Sequence, residues 1–154
     1  MTVSVFICTY NRGNLIDGTL CAVIERQTRK PDEIVVVNGG GINDCHATIV
    51  KWQKLFPTLR EIKTKNVNLA TSRNIGLSQC KGDIILQTDD DAEPFPNWIE
   101  RLVDEHQKSS RSRRNWRKCG GCFWRRINLQ NLQMLLHLHI SMKKVIVRQG
   151  LYQE

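Results

Sequence analysis

Three consecutive carboxylates, Asp89, Asp90 and Asp91, close an apolar run that reads Gly82-Asp83-Ile84-Ile85-Leu86-Gln87-Thr88. Like charges this close repel one another unless water or a cation neutralises them. Asp89 and Asp91 are two positions apart, so on an extended chain they project to the same side. A hard divalent cation that holds a phosphate would answer the charge, because hard cations take oxygen ligands. A solvated acidic turn ahead of a helix capped by Pro94 or Pro96 would answer it as well, since acidic residues favour turns and helix starts. The triplet by itself does not choose between the two.

The elements that must position it are legible along the first 108 residues. Val3–Cys8, Ile34–Val37, a weaker Leu59–Ile62 and Ile84–Thr88 are short apolar runs bounded by turn residues. Between them lie helical stretches from Leu15 to Gln27, around Ile49, Trp52 and Leu55 with Asn43 or Asp44 as cap, and from Leu69 to Cys80. Asn97 to Gln107 closes the series. Strands alternating with helices predict an α/β fold with a mostly parallel sheet. In such sheets ligands bind beyond the carboxyl ends of the strands. Three of those ends carry polar or glycine-rich segments: Thr9-Tyr10-Asn11-Arg12, Asn38-Gly39-Gly40-Gly41 and Thr88-Asp89-Asp90-Asp91. Their convergence favours a ligand over a bare acidic turn.

At 154 residues the chain is long enough to bury one core, and 40% hydrophobic with 25% charged residues is ordinary for a globular protein. No apolar stretch reaches spanning or signal-peptide length. With six cysteines and no export signal, a reducing cytoplasmic setting is expected. The net charge of +8 is unevenly placed. Residues 1–108 hold 13 Lys and Arg against 14 Asp and Glu, whereas residues 109–154 hold 10 against 1. The basicity belongs to the tail, so it does not mark residues 1–108 as binding nucleic acid.

Residues 2–108 resemble family 2 glycosyltransferases, nucleotide-sugar-dependent enzymes of GT-A fold. The resemblance rests on four ordered segments: Val3 to Arg12, Gln27 to Val37, Asn66 to Gly76, and Lys81-Gly82-Asp83 leading through the triplet to Pro96. It implies a Rossmann-like GT-A half-domain over 1–108, in which Thr9 and Tyr10 line the base pocket and Arg73 lies near the diphosphate. Asn38 stands where an Asp usually reads the base. Asp89 and Asp90 would sit near the ribose and sugar. Asp91, with Asp89, would contact a Mn²⁺ or Mg²⁺ that bridges the phosphates. The implied partners are a nucleotide-diphospho-sugar, UDP-sugar favoured, and a glycan or lipid-linked acceptor. Asn68 stands where glycine is common, and Asn tolerates left-handed backbone.

The pattern changes at Ser109. Residues 109–154 form a basic tail with no acidic residue before Glu154, no legible domain and no readable continuation of the sheet. Family members carry a general-base carboxylate past the metal motif, and none is identifiable here. The swing in charge and periodicity reads as a reading-frame change or truncation. The competing readings of the tail are three. Ile127–Val147 would make a basic amphipathic helix that contacts the inner face of the membrane. Trp116, Phe123 and Trp124 among Lys and Arg would contact nucleic acid, a reading weakened by the lack of a binding fold. Cys119, Cys122, His137 and His139 would bind zinc, although their His spacing is too short for a finger.

Overall fold

Val3–Thr9 forms the central strand β1, and Val3 to Ile7 are completely shielded from solvent. A strand buried on both faces reads as a continuous apolar run, and this one does. The computed structural model describes residues 1–65, 68–111, 122–124 and 145–149. In chain order β1 is followed by α1 (Ile16–Ile24), β2 (Glu33–Asn38), α2 (His46–Gln53), β3 (Leu59–Lys63), α3 (Leu69–Gln79), β4 (Ile84–Asp89), α4 (Trp98–Arg111), β5 (Cys122–Trp124) and β6 (Val145–Gln149).

The sheet runs β3-β2-β1-β4-β6-β5. β1 to β4 are all parallel, with Thr9 opposite Asn38 and Cys8 opposite Asp89. The chain builds outward from β1 to β2 and β3, then returns to the other side of β1 with β4. That reversal is a topological switch point, which opens a crevice outside the carboxyl ends of β1 and β4. The α/β expectation for 1–108 therefore holds, including the weak strand at Leu59.

Alternate residues of the sheet feed two cores. Val3, Val5 and Ile7 pack with Leu20 of α1, Ile49 and Trp52 of α2 and Ile99 of α4. Phe6, Val35 and Ile85 face the opposite way, toward Leu77 of α3. Burying each such side chain contributes about 1.5–3 kcal/mol. α3 lies close on β1 because Gly76 has no side chain: a Cβ there would stand 2.6 Å from the Phe6 ring. That contact places Arg73, one turn earlier on α3, at the carboxyl edge.

Several expectations need correction. α2 ends at Gln53, so Leu55 lies beyond the helix expected to include it and is 62% exposed. The N-cap of α2 is Cys45, without a side-chain cap bond; Asp44 instead accepts from the His46 amide. Asn68 is extended rather than left-handed and caps α3, accepting from the Thr71 amide at 2.9 Å. The left-handed asparagine is Asn11, with φ 56°. Sheet pairing also continues beyond Ser109: β6 adds parallel to β4 and β5 antiparallel to β6. The strand at Val145–Gln149 was hidden in sequence because its three β-branched residues sit at the end of a stretch with helical spacing. The rest of that amphipathic stretch, and Cys119, His137 and His139, lie outside the described residues. Among the described residues no helix is long and apolar enough to cross a membrane.

Candidate functional site

The site is assembled from loops that are tied together by backbone. Gly39 donates its amide to Thr9 O, Asn11 to Gly40 O and Gly13 to Asn43 O, each at 2.9 Å. Asn11 Oδ1 in turn accepts from the Asn43 amide at 2.8 Å. These bonds hold Asn11 in its left-handed conformation, which Asn accepts more readily than most residues. Gly41, at φ 110°, passes within 2.7 Å of Asn11 as judged from where its Cβ would be, so only glycine fits. Tyr10 is half exposed at the rim, and its ring lies over Gly39.

The three aspartates do not point together. Asp89 ends β4 on the α3 side, and its carboxylate is 3.9 Å from the Arg73 guanidinium. Asp90 is buried, and its backbone oxygen accepts from Thr19 Oγ1 of α1 at 2.9 Å. Asp91 is exposed. A single nitrogen of Arg12, Nη1, reaches both Asp90 Oδ1 at 3.4 Å and Asp91 Oδ2 at 3.1 Å. Two guanidiniums thus offset the charge of the triplet. Through its backbone oxygen Asp90 also anchors the turn that leads toward α4, as the acidic-turn half of the opening alternative expects.

Buried polar atoms at this edge remain uncommitted. Thr9 Oγ1, Thr88 Oγ1, Arg73 Nε and Gln87 Nε2 have no hydrogen-bond partner among the described residues. A buried donor left unsatisfied costs about 1–3 kcal/mol, and such groups in a crevice mark where a polar ligand would bind. Gln87, which shares a strand face with Asp89, interrupts the apolar run of β4; that polar interruption was its only sequence signal.

Asn38 is committed elsewhere. It is buried, and its Nδ2 donates to Asp44 Oδ1 at 2.8 Å and Glu61 Oε1 at 2.6 Å, while its Oδ1 accepts from the Gly40 amide. Glu61 also pairs with His46 Nδ1 at 2.6 Å. Both amide hydrogens are used within the protein, so the base-facing role implied for Asn38 is not the one its hydrogen bonds serve here. The Asn38 amide and the His46 backbone hold the Asp44 carboxyl below its usual range. Cys8, between Arg73 and Asp89, is pushed up to about 11 by burial, with Arg73 opposing.

The structure places Thr9 and Tyr10 at the end of β1, Asp89–Asp91 at the end of β4, and Arg73 on α3 beside Asp89; sequence reasoning named all of these as site residues. It missed Arg12 as the partner of the triplet, although Arg12 ended the first motif, and it missed Glu61 and Asp44 around Asn38. Among the described residues no three His, Cys, Asp or Glu side chains converge into a ready-made metal cage. A cation that keeps one or two carboxylates and takes the rest of its shell from phosphates needs no such cage. The same-side expectation for Asp89 and Asp91 fails because β4 ends at Asp89 and Asp91 lies in the turn beyond it, where the two have different partners.

The family model for glycosyl transferase family 2 matches residues 4–144, and the chain belongs to that family. It is 32% identical over 108 residues to an uncharacterized glycosyltransferase of Haemophilus influenzae, covering 70% of this chain and 33% of that protein. It is 31% identical over 111 residues to the glucosyl-dolichyl phosphate glucuronosyltransferase of Haloferax volcanii, covering 71% and 35%. The chain thus spans about a third of the length of these curated relatives. Among solved structures it resembles S. aureus TarS with a TM-score of 0.57 and 26% identity, covering 70% of this chain and 20% of that one. TarS 1-349 in complex with UDP superposes with a TM-score of 0.55 at 23% identity, covering 78% and 38%, a likeness of fold.

Proposed function

We propose that this chain binds the donor of a glycosyl transfer, a nucleotide-diphospho-sugar with UDP-sugar favoured, in the crevice between the carboxyl ends of β1 and β4. The observation that carries this reading is that Thr9 Oγ1, Thr88 Oγ1 and Arg73 Nε, at or beside the carboxyl ends of β1 and β4, are buried without a partner among the described residues, with Arg73 3.9 Å from Asp89. Thr9 and Tyr10 flank the base. Arg73 turns its guanidinium to the diphosphate, where a planar fork of donors matches phosphate oxygens. Asp89 and Asp90 face the ribose and sugar. Asp91, with Asp89, holds a Mn²⁺ or Mg²⁺ against the phosphates, and the bound cation supplies charge neutralisation for the departing nucleoside diphosphate. Complexes of TarS 1-349 with UDP and UDP-GlcNAc support the choice of nucleotide.

The acceptor is a glycan or a lipid-linked sugar, as the names of the Haloferax relative and of the chondroitin synthase of Pasteurella multocida, 30% identical over 104 residues, suggest for those proteins. The basic tail would bring the protein to a cytoplasmic membrane surface. No acidic residue stands between Glu105 and Glu154, so this segment offers no carboxylate to deprotonate an acceptor and turnover by it alone is expected to be absent or very poor. The reading-frame change at about Ser109 rests on the charge swing; the family match to residue 144 and the β4–β6 pairing weigh against it. The nucleotide sequence around codon 109 decides that point.

Calorimetric titration with UDP, with and without Mn²⁺, tests the donor site. The expected result is binding that requires the cation and is lost in Asp91→Ala. Equal affinity without metal, or in that variant, overturns the metal assignment.

A further inference from the structure

We propose that Arg12 is a built-in counter-cation, a latch that pairs with Asp90 and Asp91 when the donor is absent and yields Asp91 to the divalent cation when it arrives. The proposal rests on the metal reading above and goes beyond it by giving a role to a residue that reading leaves out. Arg12 Nη1 stands between the two carboxylates at 3.4 and 3.1 Å, where one positive charge meets two negative ones. The placement is built into the loop. Asn11 is fixed in the left-handed region by its bonds to Gly40 and Asn43, and the Arg12 carbonyl accepts from the Leu15 amide at 3.0 Å. The backbone on both sides of Arg12 is therefore held, and its side chain crosses from the end of β1 to the end of β4.

The side chain itself is free to leave. It is half exposed, and ion pairs exposed to this degree hold weakly. Asp90 is buried, so without a partner its charge would be costly. A weak partner offsets the charge of the pair and exchanges readily for a divalent cation. Arg73 stands near Asp89 on the other side, but it is the more buried of the two guanidiniums, whereas Arg12 is half exposed.

The test uses the full chain with Mg²⁺ as the probe. Nitrogen NMR of the arginine side chains follows Arg12, identified by the signal lost in Arg12→Lys, and calorimetry measures Mg²⁺ affinity. The latch predicts that the Arg12 signal moves to a solvated position as Mg²⁺ saturates the site. It also predicts that Arg12→Gln binds Mg²⁺ about three- to tenfold more tightly than the natural chain. Mg²⁺ binding that requires Asp91 but leaves the Arg12 signal in place, or equal affinity in Arg12→Gln, overturns the latch and leaves the metal site standing. Absence of Mg²⁺ binding in both chains, with UDP as well as without, overturns the metal reading and the latch with it.

Discussion

Asn38 holds two carboxylates apart from one another: its Nδ2 donates to Asp44 Oδ1 at 2.8 Å and to Glu61 Oε1 at 2.6 Å. An aspartate in its place would have no hydrogen to give and would add a third negative charge. Asn38→Asp is therefore expected to destabilise the protein at neutral pH by about 1–3 kcal/mol. Folding of the variant requires one shared carboxyl to keep its proton, which raises its folded pKa above the unfolded value of about 3.9. The native state then binds more protons than the unfolded state, so stability falls as pH rises. The deficit relative to the natural chain should shrink between pH 7.5 and pH 5 in urea melts. A deficit of equal size at both would show that charge is not its cause.

Arg73 carries a different expectation, because its nearest acid, Asp89, is 3.9 Å away and its Nε is buried without a partner among the described residues. Its worth to the fold is small at that distance. Arg73→Ala should leave the thermal midpoint nearly unchanged and weaken UDP binding about tenfold or more, since a hydrogen bond to a charged group contributes about 1.5–3 kcal/mol. Arg73→Lys should restore little, as a point charge cannot reproduce the fork. Unchanged UDP affinity with a lowered midpoint would make Arg73 a structural residue.

What the sequence disclosed and what it hid divide along physical lines. Strands such as Val3–Thr9, buried on both faces, announce themselves as apolar runs, and the position of the crevice follows from how β1 and β4 alternate with helices. Arg12 and Glu61 were hidden because ion pairs across 78 or 15 residues leave no local pattern. The internal partners of Asn38 were hidden for a related reason: an amide is equally suited to a ligand and to two neighbouring carboxylates, and the sequence does not show which are near. Asn68 caps α3 where left-handed backbone was expected, because capping and left-handed geometry draw on the same side chain.

Gly76 offers a test of how α3 is seated. Alanine usually gains close to 1 kcal/mol over glycine inside a helix, but here the added Cβ would lie 2.6 Å from the fully buried ring of Phe6. Overpacking of that kind costs about 1–3 kcal/mol, so the net sign for Gly76→Ala is destabilising. Adding Phe6→Leu should recover part of the loss, a coupling that chemical denaturation of the single and double variants measures. A stabilising Gly76→Ala would mean that α3 sits further from β1 than this contact requires.

Cys8 near the end of β1 and Cys45 at the N-cap of α2 link the fold to alkaline pH. Burial pushes Cys8 up to about 11 and Cys45 up to about 12. Unfolding returns both to the ordinary value of about 8.5. Above that value the unfolded state loses thiol protons that the native state keeps, so native stability should decline from about pH 8.5 toward pH 11. In the folded chain at pH 8 both thiols should resist iodoacetamide, because the thiolate is the reactive form, and both should react quickly in urea. Asp89 and Asp90 add to the rise at Cys8, whereas Asp89 is not among the causes at Cys45. Asp89→Asn should therefore speed alkylation of Cys8 between pH 9 and 10 and leave Cys45 as it was. Timed labelling read by peptide mass spectrometry separates the two. Equal acceleration at both cysteines would point to loosening of the fold, and none at Cys8 would place its thiol out of reach of the Asp89 charge.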